Sequence, residues 1–324
     1  MNSNYVYIGQ GIAVDLEDAR DYIRDGYLLT PRTVLKGLTK SAPPVLPSVS
    51  IDVDKVSLQV QRELEARLGQ IAGFDQAVMF SGGFDSMLMV RLAQHCGAKV
   101  QAFTVQFEDL NPRTVQNAIE SAESLRIKHH ILPVKIVEFL SAFEALADIT
   151  SEPILDLDLA LVYAALKKYD SKIAGDTFIS GMGSDQWLGN EAVKSDQSSF
   201  AKHLDWALVD EDAHQAVAKV FGCKFVFPFL SKPMLALSQS ILDVLKKDKK
   251  LLRELSITDS IPHRENVNEE QVPPLICNLV IKTYGHRAWP QPISEHNNDT
   301  DNQKLRQISL GLWLEKVERI DKFN

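Results

Sequence analysis

The chain has 324 residues, 45% hydrophobic and 24% charged, an ordinary globular composition long enough to bury a full core in one large or two modest domains. A net charge of −8 and a pI of about 5.5 disfavour a broad phosphate-tracking surface, which sets nucleic acid aside as a main partner. Cys96, Cys223 and Cys277 are few, far apart and without a CxxC, so neither a disulfide framework nor a cysteine zinc site is indicated.

The first residues, MNSNYVYIGQGIAVDLED, have neither a basic start nor a long apolar stretch, and no apolar run is long enough to span a bilayer. A cytoplasmic protein without a membrane partner is expected. Residues 1–50 read as an ordered lead-in: an amphipathic piece, Leu16 to Gly26, precedes Pro31, Pro43, Pro44 and Pro47, which fragment any long element. Gly9 and Gly11 are an incomplete dinucleotide signal and are read as a turn, and no GxxxxGK[ST] is present.

Val56, Val60, Leu64, Leu68 and Ile71 recur at helical spacing and predict a helix that buries this stripe. A strand at Ala77 to Phe80 then leads through SGGFDS into a helix at Met87 to His95. Next come a strand at Val100 to Val105, a helix at Thr114 to Arg126, a strand at His130 to Val134 and a helix at Val137 to Asp148. A helix at Leu155 to Tyr169 and a strand at Ile173 to Ile179 complete the series. Alternation at this spacing predicts an α/β fold, a parallel sheet flanked by helices, with ligands at the carboxyl ends of the strands. His129 and His130 are adjacent on a strand and so face opposite ways, which argues against a zinc pair. Beyond Gly189 the pattern turns mainly helical to about Leu255; residues 290–303 read as a polar, mobile loop, and Leu305 to Ile320 regains helical spacing.

Two loops carry the chemistry. In Ser81 to Ser86 (SGGFDS), Gly82 and Gly83 let the backbone bring its N–H groups to an anion, Ser81 and Ser86 add hydroxyl donors, and the following helix adds its dipole. Asp85 can only accept, which makes sense if magnesium bridges it to phosphate oxygens. Ser180 to Asp185 (SGMGSD) repeats the arrangement after another strand and again ends on an aspartate. Asp85 and Asp185 at neighbouring strand ends are the expected magnesium ligands around a triphosphate. A tight turn of small residues is the plain alternative for either loop alone.

The pair of loops, SGGFDS and about 100 residues later SGMGSD, resembles the synthetase domain of asparagine synthetase and its relatives, including the beta-lactam synthetases. The similarity continues in order through AFTVQF (Ala102 to Phe107), Glu152-Pro153, PFLS (Pro228 to Ser231), KKLLREL (Lys249 to Leu255), Arg264 and SLGLWL (Ser309 to Leu314). The resemblance implies an adenine nucleotide alpha hydrolase-like ATP pyrophosphatase domain over residues 51–289, with residues 304–324 packing on it as a C-terminal helix. It also implies a reaction with ATP and Mg2+, in which a carboxylate attacks the α-phosphate, pyrophosphate leaves, and an amine displaces AMP to form an amide. On this footing Ser81, Gly82, Gly83, Asp85, Ser86, Val105, Ser180, Gly181 and Gly183 would hold the nucleotide. Glu152 would help the incoming amine lose a proton, and Arg264, Lys249 and Lys250 would serve catalysis.

The departures shape the expectation. The family's glutaminase starts with a catalytic cysteine, whereas Asn2 follows Met1 here; the amine is therefore expected as free ammonia, from a separate amidotransferase subunit, from a second substrate, or from the substrate's own amino group. Asn266 stands where the family carries a lysine, leaving Lys232, Lys249 and Lys250 as candidate replacements that spacing does not choose among. The carboxylate is expected to be a small molecule or a peptide. Asp156 and Asp158 begin a helix, where they could reach an amine substrate or face water; facing water is the preferred reading. NAD and GMP synthetases fit SGMGSD and the tail less well, and tRNA-thiolating enzymes mostly need paired cysteines. The alternative of another class is a nucleotide-binding subunit without turnover that regulates or scaffolds a partner.

Overall fold

The helical stripe that begins the α/β unit is realised as a helix over Val56–Gly69, with Val56, Val60, Leu64, Leu68 and Ile71 all buried. Each such side chain contributes about 1.5–3 kcal/mol by leaving water. The structure, a computed structural model, describes residues 5–8, 12–25, 28, 32–40, 46, 49–52, 55–71, 75–153, 156–168, 177–189, 197–241, 243–261, 274–290 and 299–321. Arg264, Asn266, Gly9, Gly11 and the four prolines of the lead-in lie outside these residues, as do 291–298 of the expected polar loop.

In chain order, β1 (Tyr5–Ile8) and β2 (Ile12–Asp15) form an antiparallel pair followed by α1 (Leu16–Asp25), and the helix just described is α2. The α/β unit runs β3 (Asp75–Met79), α3 (Phe84–His95), β4 (Lys99–Phe107), α4 (Pro112–Leu125), β5 (Lys128–Val134), α5 (Ile136–Ile149), α6 (Leu157–Lys168), β6 (Thr177–Ile179) and α7 (Ser184–Leu188). Then follow α8 (Gln197–Val220), β7 (Lys224–Val226), α9 (Lys232–Ser240), short helical turns to about residue 260, α10 (Pro274–Tyr284) and α11 (Asp301–Asp321).

Among the described residues one sheet has the order β5-β4-β3-β6-β7, all pairs parallel. From β3 the chain moves outward through β4 and β5, then returns to the other side of β3 for β6 and β7. The order therefore reverses between β3 and β6, where open α/β sheets bind ligands. The register Val78↔Ile179 sets the carboxyl ends of β3 and β6 side by side, so the two aspartate loops emerge as neighbours. The imidazoles on β5 do face opposite ways: His129 Nε2 is 2.8 Å from Thr104 Oγ1, and His130 Nε2 is 2.8 Å from Gln101 Oε1.

The stretch beyond Gly189 is mainly helical, as expected, and also contains one short sheet strand: after α8 the chain turns at Gly222, whose φ of +67° suits glycine, and Phe225 and Val226 then bury their side chains on β7. One expectation is corrected. Helix α11 begins at Asp301, inside the expected polar loop, where Thr300 and Gln303 bond side chain to backbone in both directions and so satisfy amides of its first turn.

The lead-in has its own small core. Val14, Ala19, Tyr22, Leu28, Val34 and Leu35 pack on Leu310, Trp313 and Leu314 of α11. Arg32 fastens the segment to α1 through Asp18 and Asp21, each reached by a 2.6 Å hydrogen bond. No helix among the described residues is long and apolar enough to cross a membrane.

Candidate functional site

The SGGFDS loop is held from outside by α4. Asn117 Nδ2 donates to Ser81 O at 3.3 Å, and Ser121 Oγ donates to Gly82 O at 3.1 Å. Gly82 has a φ of +73°, and a Cβ there would stand 2.7 Å from Ala118 Cα; only glycine permits this approach. Helix α3 then starts inside the loop, at Phe84 and not at Met87, with Gly83 extended before it. Its free N–H groups and its dipole therefore point from the loop itself.

Ser81, Asp85 and Ser86 from the first loop, Val105 from β4, and Ser180 and Gly181 from the second loop line one cavity of about 260 Å3. The hydroxyls of Ser81 and Ser86 lie 3.5 Å apart, and Ser86 Oγ donates to Gly83 O at 2.9 Å. Gly82, Gly83 and Gly183 shape the loops without lining the cavity. At Gly183, with φ +94°, a Cβ would meet Leu230 at 2.7 Å, so PFLS packs beneath the second loop.

Of the candidate lysines, the fold brings one to the aspartates. Lys249 Nζ lies 2.5 Å from Asp85 Oδ2 and 2.9 Å from Asp185 Oδ2. Burial works against the charge on Lys249, but the two carboxylates outweigh it and hold its pKa above that of an ordinary lysine. Burial pushes the Asp85 carboxyl up, with Lys249 pulling against it. Lys250 is exposed, 3.9 Å from Glu254, and Lys232 is exposed at the start of α9.

The donor set fits a magnesium ion. Asp85 Oδ1 is buried with no hydrogen-bond partner while Oδ2 takes Lys249, and Asp185 stands opposite, so two hard oxygen ligands face one place.

Glu152 is not in this cavity. It is ion-paired with Lys40 at 2.7 Å and lines a separate cavity against the lead-in. Conversely, Asp158 lines the first cavity, together with His214 and Phe225, and Asp156 turns to Asp210, so the reading of both helix-start aspartates as merely facing water is corrected. Asp210 is buried, and burial, with Asp156 and Asp158 adding to it, pushes its carboxyl up to about 9. Single ligand atoms of Asp156, Asp210 and His214 lie within 4.8 Å of one another. Asp210 and His214, four apart on α8, were visible in the sequence as a one-face pair but had nothing there to connect them with the loops.

Comparison with known proteins gives one strong match. The family described as asparagine synthase matches residues 61–272, more than half of the chain. No curated protein matches it. Among solved structures, the NMN synthetase from Francisella tularensis is 14% identical over 68% of this chain and 100% of that one, with a TM-score of 0.32. The U34-tRNA thiolase NcsA from Methanococcus maripaludis is 12% identical over 91% and 89%, at 0.40. The NH3-dependent NAD synthetase from Campylobacter jejuni is 17% identical over 67% and 100%, at 0.30.

Proposed function

Because the chain belongs to the asparagine synthase family, whose members are ATP-using carbon–nitrogen ligases, we propose that it adenylates a small-molecule or peptide carboxylate and passes the acyl group to an amine. A carboxylate oxygen attacks the α-phosphorus and the bond to the bridging oxygen breaks towards pyrophosphate. The amine nitrogen then attacks the acyl carbon, the bond to AMP breaks, and the amine loses a proton. The observation that carries this reading is the meeting of Asp85 and Asp185, from two loops at adjacent strand ends, around the single ammonium of Lys249.

The residues divide the work. Backbone N–H groups of the first loop with the Ser81 and Ser86 hydroxyls receive the phosphates, and Val105 gives the nucleotide an apolar wall. Asp85 and Asp185 would hold magnesium, which when bound would supply neutralisation of the phosphate charge. Lys249 is the protein's own cation for the same negative charge, a role in which removing one donor costs about 10²–10³ in rate. Since Glu152 stands elsewhere, the Asp158 carboxylate and the His214 imidazole are the proton acceptors that the cavity offers to the amine.

The test is pyrophosphate release across a panel of carboxylates with hydroxylamine as a generic amine. A productive carboxylate is expected, with Asp85→Ala and Asp185→Ala each abolishing release; full activity in either variant overturns the reading. A nucleotide-binding subunit without turnover is the second reading, favoured by the way Lys249 already occupies both carboxylates. Binding of nucleotide with no pyrophosphate from any panel member would select it.

A further inference from the structure

The second cavity, of about 250 Å3, shares no lining residue with the first. Its walls are apolar and come from three places: Leu28, Val34 and Leu35 from the lead-in, Pro153 after α5, and Trp313 from α11. Charge reaches it at one point, the pair of Lys40 Nζ and Glu152 Oε2, whose side chains are only 10% and 23% exposed. Lys40 Nζ also donates to Leu28 O at 2.9 Å, which leaves its third N–H without a partner among the described residues. The Tyr22 hydroxyl, on the same cavity, is buried beside Ser309, with Arg306 and Glu152 also near it.

These features are poorly explained as mere fastening. A largely buried ion pair gains little over apolar packing, because desolvation offsets the attraction. Beside the pair lies open apolar space, the usual design of a small-molecule site with a few orienting polar groups.

We propose that this cavity binds a free α-amino acid with an apolar side chain. Its carboxylate meets Lys40, its ammonium meets Glu152, and its side chain lies against Leu28, Val34, Leu35 and Trp313. Only a zwitterion matches both partners: a fatty carboxylate would face Glu152 with like charge, and an alkylamine would face Lys40. The volume, below the span of about 300–1,000 Å3 usual for drug-sized ligands, suits leucine or phenylalanine and is too small for a peptide. The inference rests on this cavity alone, and it is tested without nucleotide, so its outcome is independent of the ligase reading.

Calorimetric titration of the full chain with L-leucine and L-phenylalanine, followed in parallel by tryptophan fluorescence, is the experiment. Saturable binding is expected, with 4-methylpentanoate and 3-methylbutylamine each about tenfold or more weaker, since each forfeits one charged hydrogen bond. Glu152→Gln and Lys40→Gln should weaken binding to a similar degree. Val34→Phe, which fills the cavity and leaves the ion pair intact, should abolish it in a protein whose circular dichroism is unchanged. Trp313→Phe should keep calorimetric binding while losing the fluorescence response. Absence of wild-type binding at about 10 mM, equal binding of either single-charge analogue, or undiminished affinity in Val34→Phe would overturn the proposal.

Discussion

Lys249 Nζ lies 2.5 Å from Asp85 Oδ2, so that a side chain from the far end of the family region neutralises the first turn of α3. It does so from a turn in which Asp248 and Lys249 both have positive φ, +54° and +55°. Each non-glycine residue in that region costs about 1–2 kcal/mol. The ion pair with Asp85, and the second contact to Asp185, must offset that strain. This arrangement places a tethered cation where the donor set also suits magnesium.

Replacing the lysine separates the two roles. Lys249→Met leaves two carboxylates facing each other, and breaking such a pair costs about 3 kcal/mol when buried, less here because Asp185 is 44% exposed. Its melting temperature should fall without metal and rise more steeply with added magnesium than that of the wild type. Thermal melts across a magnesium series check this; an equal metal response in both proteins would show that the ammonium and the metal do not share a place.

Lys250→Gln is the contrasting case. Among the described residues the one ion pair of Lys250 is an exposed 3.9 Å contact with Glu254, so stability should change by less than about 0.5 kcal/mol and nucleotide binding should be unaffected. A loss of binding equal to that of Lys249→Met would mean that the neighbouring lysine acts at the site.

Gly82→Ala tests the cradle itself. The new Cβ cannot fit 2.7 Å from Ala118 Cα, so the loop must lift off α4 and lose the Ser121 and Asn117 hydrogen bonds. Stability should drop by about 1–3 kcal/mol in denaturant melts, and affinity for ATP should fall at least about tenfold. Unchanged affinity would detach the loop from phosphate binding.

The Asp156–Asp210 cluster predicts a pH dependence. Asp210 keeps its proton up to about pH 9 in the folded protein, whereas an unfolded aspartate loses it near pH 3.9. Between these values the folded state binds more protons, so this carboxyl makes stability fall as pH rises. Asp210→Asn removes the term and should gain on the wild type between pH 5 and about pH 8 in urea melts. A constant difference between the two proteins over that window would contradict the raised Asp210 carboxyl.

How much of this was legible in the sequence depends on the range of the signal. The stripe from Val56 to Ile71 and the two Ser-Gly loops are local patterns, and each appears where its spacing put it, with β3 and β6 adjacent. Strand β7 was lost because its three residues follow a long helix and carry no alternation of their own; Gly222 before it and Pro228 after it were the punctuation. The start of α11 was masked by polar residues that serve its first turn. Lys40 with Glu152, and Lys249 with Asp85, are long-range pairings that the fold alone decides. Sequence could offer Lys249 as one of three lysines, but only the strained turn at Asp248 aims it.

The most direct measurement of the central claim is calorimetric binding of ATP to the wild type and to Asp85→Ala, each with and without magnesium. The account predicts metal-dependent binding by the wild type that disappears in the variant. Absence of binding by the wild type, or equal metal-dependent binding by both proteins, would contradict it.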